Sequence, residues 1–68
     1  MQKFIGKNFE KVKYKITDYI IENNCTHSIT IKYYKPNDNM PLIIDEDNLI
    51  YYFFKLNENE EIIQIIKN

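Results

Sequence analysis

The longest unbroken run of apolar and aromatic residues in this chain lies at 49–54, and Leu56 follows after Lys55. The run is too short to span a membrane, and its aromatic and β-branched content favours a strand at 49–56. Because successive side chains of a strand point to opposite faces, this strand is predicted to be apolar on both. A chain of 68 residues can hardly cover two faces of a sheet by itself.

A helix is predicted at 9–23. Asn8 precedes it and is a favourable N-cap residue. The apolar residues that follow recur at spacings of three and four and form a single stripe: Phe9, Val12, Ile16, Tyr19 and Ile20. The pair Asn23-Asn24 is the expected end, since asparagine tolerates the left-handed conformation at a helix terminus.

Three further segments complete the predicted order. Residues 28–35 alternate between apolar and polar positions and indicate a half-buried strand. Residues 36–48 indicate a long connection, and 61–67 a last strand with apolar residues on both faces. The tight turn before that strand has no glycine, so Asn57 or Asn59 is expected to adopt a positive φ.

The predicted fold class is therefore α+β, with the chain forming a single domain over residues 1–68. One N-terminal helix packs on a small, mainly antiparallel sheet of three to four strands. The order along the chain is helix, strand, long loop, strand, tight turn, strand.

This order resembles the potato inhibitor I fold, which a bacterial family of small protease inhibitors shares in outline. Residues 4–13 match the opening of that family, which has an apolar pair, Gly-Lys, a helix cap and a helix with a Glu-rich first turn. Residues 52–59 and 62–65 resemble its apolar strand, its turn and its closing strand. The resemblance implies a helix on a small sheet and an inhibitory loop for serine proteases.

The loop that corresponds to the inhibitory loop is 43–48, which departs from the family pattern. The family has a threonine before the scissile bond and arginines that brace the loop, whereas 43–48 lacks threonine and the chain has no arginine. An unbraced loop loses more entropy on binding. As an inhibitor, the chain would offer the bond between Asp45 and Glu46 to a protease that prefers acidic residues.

Composition and charge limit the possible partners. The net charge is −1, although residues 1–35 carry seven lysines and three acids while 36–68 carry two lysines and seven acids. The side chains of Lys7, Lys11 and Lys15 lie four residues apart and form a candidate basic face for phosphates. Without arginine or a nucleic-acid-binding motif, weak nucleic-acid binding is the third hypothesis. The absence of alanine and arginine indicates an AT-rich genome, such as that of a low-GC bacterium, a protist or a large DNA virus.

The chemistry-bearing residues predict no enzyme, metal or cofactor. Cys25 is the single cysteine, and with His27 it lacks the third orienting group that a nucleophilic site needs. The acids at Asp38 and 45–47 lack the glycine of a calcium loop. No signal peptide or membrane span is predicted, so the expected location is the cytoplasm, either of the organism itself or, for a viral protein, of the host cell or inside the virion.

The leading hypothesis is a small non-enzymatic interaction protein that forms a homodimer and can bind a further protein partner. The helix covers one face of the sheet, and the other face exposes several hundred Å² of apolar surface, more than monomers usually leave open. The candidate interface consists of Leu49, Tyr51, Phe53, Ile63 and Ile65, although alternation alone does not decide which face of the sheet forms it. The competing hypothesis is a monomer in which residues 36–48 fold over that face.

Overall fold

The computed structural model describes residues 1–23, 30–37 and 39–68, which form a helix packed on a four-stranded antiparallel sheet. The helices and strands follow the chain in this order: a short 3₁₀ helix at Gln2–Phe4, α1 at Phe9–Glu22, β1 at Ile31–Tyr34, β2 at Leu42–Asp45, β3 at Ile50–Leu56 and β4 at Ile62–Lys67. The predicted α+β class with an N-terminal helix is confirmed.

The helix α1 begins where the sequence predicts. The Asn8 side chain accepts a hydrogen bond from the Lys11 backbone N–H at 3.2 Å, which satisfies one of the free donors of the first turn. At the other end, Asn23 has φ −87° and ψ 0°, so it does not adopt the left-handed conformation. Its side-chain amide instead donates to the Tyr19 carbonyl at 2.8 Å.

The sheet is a meander in which β1, β2, β3 and β4 lie in sequence order and every neighbouring pair is antiparallel. The predicted long connection at 36–48 therefore contains a strand, β2, which lies between β1 and β3. Three apolar residues before an acidic run are too few to show a period in the sequence. Once β1 and β3 flank it, however, β2 forms ladder hydrogen bonds on both sides.

The core lies between α1 and one face of the sheet. Its buried apolar residues come from the N-terminal segment, α1 and three strands: Phe4, Phe9, Ile16, Ile20, Ile43, Tyr52, Phe54, Leu56 and Ile62. Val12 and Tyr19 are partly buried against this cluster. The predicted helix stripe is thus confirmed as the face that covers the sheet.

Polar contacts hold the edge strand β1 to the helix. The Tyr33 hydroxyl hydrogen-bonds the Thr17 hydroxyl, and the Tyr33 ring meets the Tyr14 ring edge-on at 6.2 Å between centroids. The N-terminal segment contacts the opposite edge of the sheet, β4, where the backbone N–H of Gly6 donates to the Ile62 carbonyl at 2.7 Å. The helix layer is therefore fastened to both edges of the sheet.

The turn between β3 and β4 is built on an asparagine side chain. Asn57 Oδ1 accepts from the backbone N–H groups of Asn59 and Glu61, each at 2.9 Å. The residue with positive φ is Glu60, at 62°, so the expectation for Asn57 or Asn59 was wrong. Asn57 is fixed by accepting these bonds, and the strained position falls on the residue two before β4.

Candidate interaction surface

The strand register places four large apolar residues side by side on the sheet face that points away from α1. Tyr34 pairs with Leu42, Leu42 with Phe53, and Phe53 with Ile66, which forms one row across all four strands. The residues that alternate with this row, including Ile43, Tyr52 and Phe54, are buried against the helix. The row must therefore face the other way.

A second row reinforces the first. Ile44 pairs with Tyr51 on the same side of β2 and β3. We call the two rows together the outer face, and it consists of Tyr34, Leu42, Ile44, Tyr51, Phe53 and Ile66. Tyr34 is 48% exposed, Ile66 39% and Tyr51 38%, while the other three are half-buried by their neighbours. Because α1 and the N-terminal residues pack on the opposite side, no element of the described chain covers the outer face.

Charged residues lie at the margins of this surface rather than in its centre. Lys32 and Glu46 form an exposed ion pair, with 3.4 Å between Lys32 Nζ and a Glu46 carboxylate oxygen. Lys55 lies two residues beyond Phe53 on β3 and is exposed. An apolar centre with a polar rim is the usual anatomy of a protein interface.

The half of the outer face formed by β1 and β2 is concave. A shallow groove of about 440 Å³ is lined there by Tyr34, Lys35, Pro36, Leu42 and Ile44. The half formed by β3 and β4 carries the large side chains of Tyr51, Phe53 and Ile66. The groove and these three side chains therefore lie on different halves of the outer face.

The predicted interface residues do not all lie on the outer face. Tyr51 and Phe53 lie on the outer face as expected. Leu49 is 74% exposed in the turn before β3, where its φ is 56°. Ile63 is 49% exposed at a bulge in β4.

Ile65, by contrast, does not lie on the outer face, because it packs against the core on the helix side of the sheet. A register shift beside Lys55 and Leu56 leaves Ile63 unpaired, so Ile62 and Ile65 both point toward the helix and Ile66 points outward. No residue type marks this bulge in the sequence. The sequence also missed Tyr34, Leu42 and Ile44 as members of the surface, although the alternation of Leu42 and Ile44 would have indicated them once β2 was recognised.

The bond predicted for protease inhibition lies at the end of β2. The Asp45 side chain is fully buried, and its carboxylate accepts from the Asn48 backbone N–H at 3.2 Å and from Asn48 Nδ2 at 2.8 Å. The Glu46 backbone N–H donates to the Thr30 carbonyl at 3.0 Å. A serine protease must receive the side chain before the scissile bond in its specificity pocket, and a buried Asp45 is not available for that.

The predicted basic face is weakened by acids on the same helix. Lys7 precedes α1, whereas Lys11 and Lys15 are exposed on it. The helix carries three lysines and three acids, so its formal charge is zero. Lys13 Nζ lies 3.0 Å from a Glu10 oxygen, and this hydrogen bond raises the pKa of Lys13. The helix surface is therefore electrostatically mixed rather than a continuous positive field.

Three of the other candidate residues lie outside the residues that the structure describes: Cys25, His27 and Asp38. Within the described ranges, no group of three His, Cys, Asp or Glu side chains is arranged to hold a metal ion. In the same ranges no helix is long and apolar enough to cross a lipid bilayer.

Comparison of the chain with known protein families, curated proteins and solved structures found no match. The resemblance to the potato inhibitor I fold therefore stays a prediction.

Beneath the outer face, one core residue gives the fold a pH dependence. Tyr52 is 7% exposed, and its burial raises the pKa of its hydroxyl, with a further rise from the nearby Asp45 carboxylate. A raised pKa means that the folded state favours the neutral phenol. The corresponding stability is complete below the unfolded pKa of ~10 and is lost as the pH rises through the folded pKa.

Replacing Tyr52 by phenylalanine should therefore flatten the alkaline part of the stability curve. We expect the free energy of unfolding to fall less between pH 9 and pH 11 in Tyr52→Phe than in the unmodified chain, because phenylalanine cannot ionise. Urea titrations at several pH values measure this difference, and the same pair at pH 7 is the control for the loss of the hydroxyl. Identical slopes for the two proteins in the alkaline range would contradict the assignment.

Proposed function

We propose that this chain is a non-enzymatic interaction protein that forms a homodimer through the outer face of its sheet. The observation that carries the proposal is the row of Tyr34, Leu42, Phe53 and Ile66, which is continuous across four strands and has a second apolar pair beside it. Scattered apolar residues on a surface are ordinary, but a contiguous patch of this kind marks an interaction site.

The size of the domain fits an interface of this kind. A standard interface covers ~800 Å² on each partner. The total accessible surface is 4710 Å², and the principal extents are 36 × 23 × 18 Å. The product of the two larger extents is about 830 Å², so the domain is large enough to offer a face of that size.

A second copy is the occupant that the surface favours. Two identical patches meet across a two-fold axis only if they are self-complementary. Here a shallow groove lies on β1 and β2, and the aromatic side chains of Tyr51 and Phe53 lie beside it on β3, so each copy offers both a groove and aromatic residues for the groove of a second copy. A small domain also gains stability from association, since its own core is limited.

The test is the dependence of unfolding on protein concentration. For a dimer that dissociates as it unfolds, a 100-fold rise in concentration adds about 2.7 kcal/mol at the urea midpoint. With a urea slope of ~2 kcal/mol per molar, the midpoint should rise by about 1.4 M between 1 and 100 µM protein. A midpoint independent of concentration would contradict self-association. The partner of the outer face would then be a different protein.

A further inference from the structure

Aromatic and aliphatic side chains follow a regular order across the outer face. Along the first row, from β1 to β4, the residues are Tyr34, Leu42, Phe53 and Ile66, so aromatic and aliphatic side chains alternate. Reversing this row places every aromatic residue opposite an aliphatic one. Facing positions that pair large with small side chains interdigitate best.

Two arrangements bring the outer faces of two copies together. If the two-fold axis runs along the strands, β1 lies over the partner's β4 and β2 over the partner's β3, and each row faces its own reverse. If the axis runs across the strands, each strand lies over its own copy and the first row faces the second. Both are compatible with the aligned packing of two twisted sheets.

The facing residues distinguish the two arrangements. With the axis along the strands, Tyr34 faces Ile66 of the partner subunit and Leu42 faces Phe53 of the partner subunit. In the second row, Ile44 faces Tyr51 of the partner subunit. With the axis across the strands, Tyr34 instead faces the charged Lys32 of the partner subunit, and Phe53 faces Tyr51 of the partner subunit, which sets large against large.

The groove supports the same choice. Its apolar lining is formed mainly by Tyr34, Leu42 and Ile44, on the β1 and β2 half. Of the two arrangements, only the one with the axis along the strands brings the aromatic residues of the partner's β3 over this groove. Each copy then fills the other's groove, and the two contacts are equivalent by symmetry.

From the row order and the groove together, we infer that two copies stack with their two-fold axis along the strands, so that Phe53 and Tyr51 of each copy enter the β1–β2 groove of the other. This inference rests on the proposed homodimer and specifies its geometry. Packed sheets lie ~10 Å apart, so residues that face each other are within reach of a short thiol cross-linker.

Cross-linking of single-cysteine variants tests the geometry. Both variants carry Cys25→Ser, which removes the native thiol. One then carries Tyr34→Cys and the other Ile66→Cys, two positions at opposite ends of the first row. A bismaleimide spanning ~10 Å is added to each variant alone and to a mixture refolded together, with one variant tagged to give a distinct mass.

The expected result is a covalent heterodimer in the mixture and at least tenfold less cross-linked dimer with either variant alone. Self-cross-linking of Tyr34→Cys would overturn the inference, because β1 would then lie over the partner's β1. A mixture without covalent heterodimer would also overturn it if sedimentation still shows a dimer, and the proposed homodimer would stand. A monomeric mass for both variants and for the unmodified chain would remove the homodimer as well.

Discussion

Replacing Ile16 by alanine is expected to lower the free energy of unfolding by about 2–5 kcal/mol, the range for truncating a fully buried aliphatic side chain. Ile16 is fully buried at the centre of the α1 stripe. Removing three carbons there leaves a cavity between the helix and the sheet that rigid neighbours fill only in part. A domain of this length has a total stability of ~3–10 kcal/mol, so the variant should be unfolded or close to it at 37 °C.

The matched control is Ile21→Ala on the same helix. Ile21 is 45% exposed, so the same chemical change removes little buried surface. We expect an effect within about 0.5 kcal/mol, typical of exposed positions. Thermal or urea unfolding followed by circular dichroism measures both variants. Equal losses at the two positions would mean that α1 does not pack on the sheet through the predicted stripe.

Replacing Phe53 by glutamate is expected to raise the dissociation constant of the homodimer roughly 100- to 1,000-fold, as for loss of a central interface anchor. Phe53 is in the middle of the first row of the outer face. In the dimer, each copy would bury an unpaired carboxylate against apolar side chains, which is costly in both subunits. In the free monomer the same carboxylate is in contact with water, so the fold should persist.

Two further variants make this prediction decisive. Tyr51→Glu lies at a 38% exposed position of the outer face and should dissociate the dimer in the same way, even if Phe53→Glu folds poorly. Ile21→Glu places the same charge on α1, away from the sheet, and should leave the dissociation constant unchanged. Sedimentation velocity over a concentration series measures all three. A dimer that survives both outer-face substitutions would exclude this surface as the interface.

The helix and its role could be predicted because their signals are local. Asn8 caps the helix with its own side chain, and the stripe that contains Ile16 and Ile20 requires only the helical period. The two apolar faces of β3 could be predicted for the same reason, since alternation alone places Phe53 and Phe54 on opposite sides. The sequence therefore predicted that one apolar face of β3 stays uncovered by the helix, but alternation alone did not fix which of the two faces it is.

The exact residues of the outer face could not be predicted, because they depend on pairing between strands. β2 is only four residues long, and it becomes a strand through its neighbours rather than through its own pattern. The bulge at Ile63 shifts the faces of β4, so Ile66 rather than Ile65 joins the surface. Glu60 takes the positive φ that an asparagine was expected to take, because the Asn57 side chain is engaged in organising the turn.

Sedimentation equilibrium of the unmodified chain at micromolar concentration tests the central proposal most directly. We expect a mass that approaches twice the chain mass of 8.3 kDa as the concentration rises and returns toward 8.3 kDa on dilution. A mass of 8.3 kDa that does not change with concentration would contradict it.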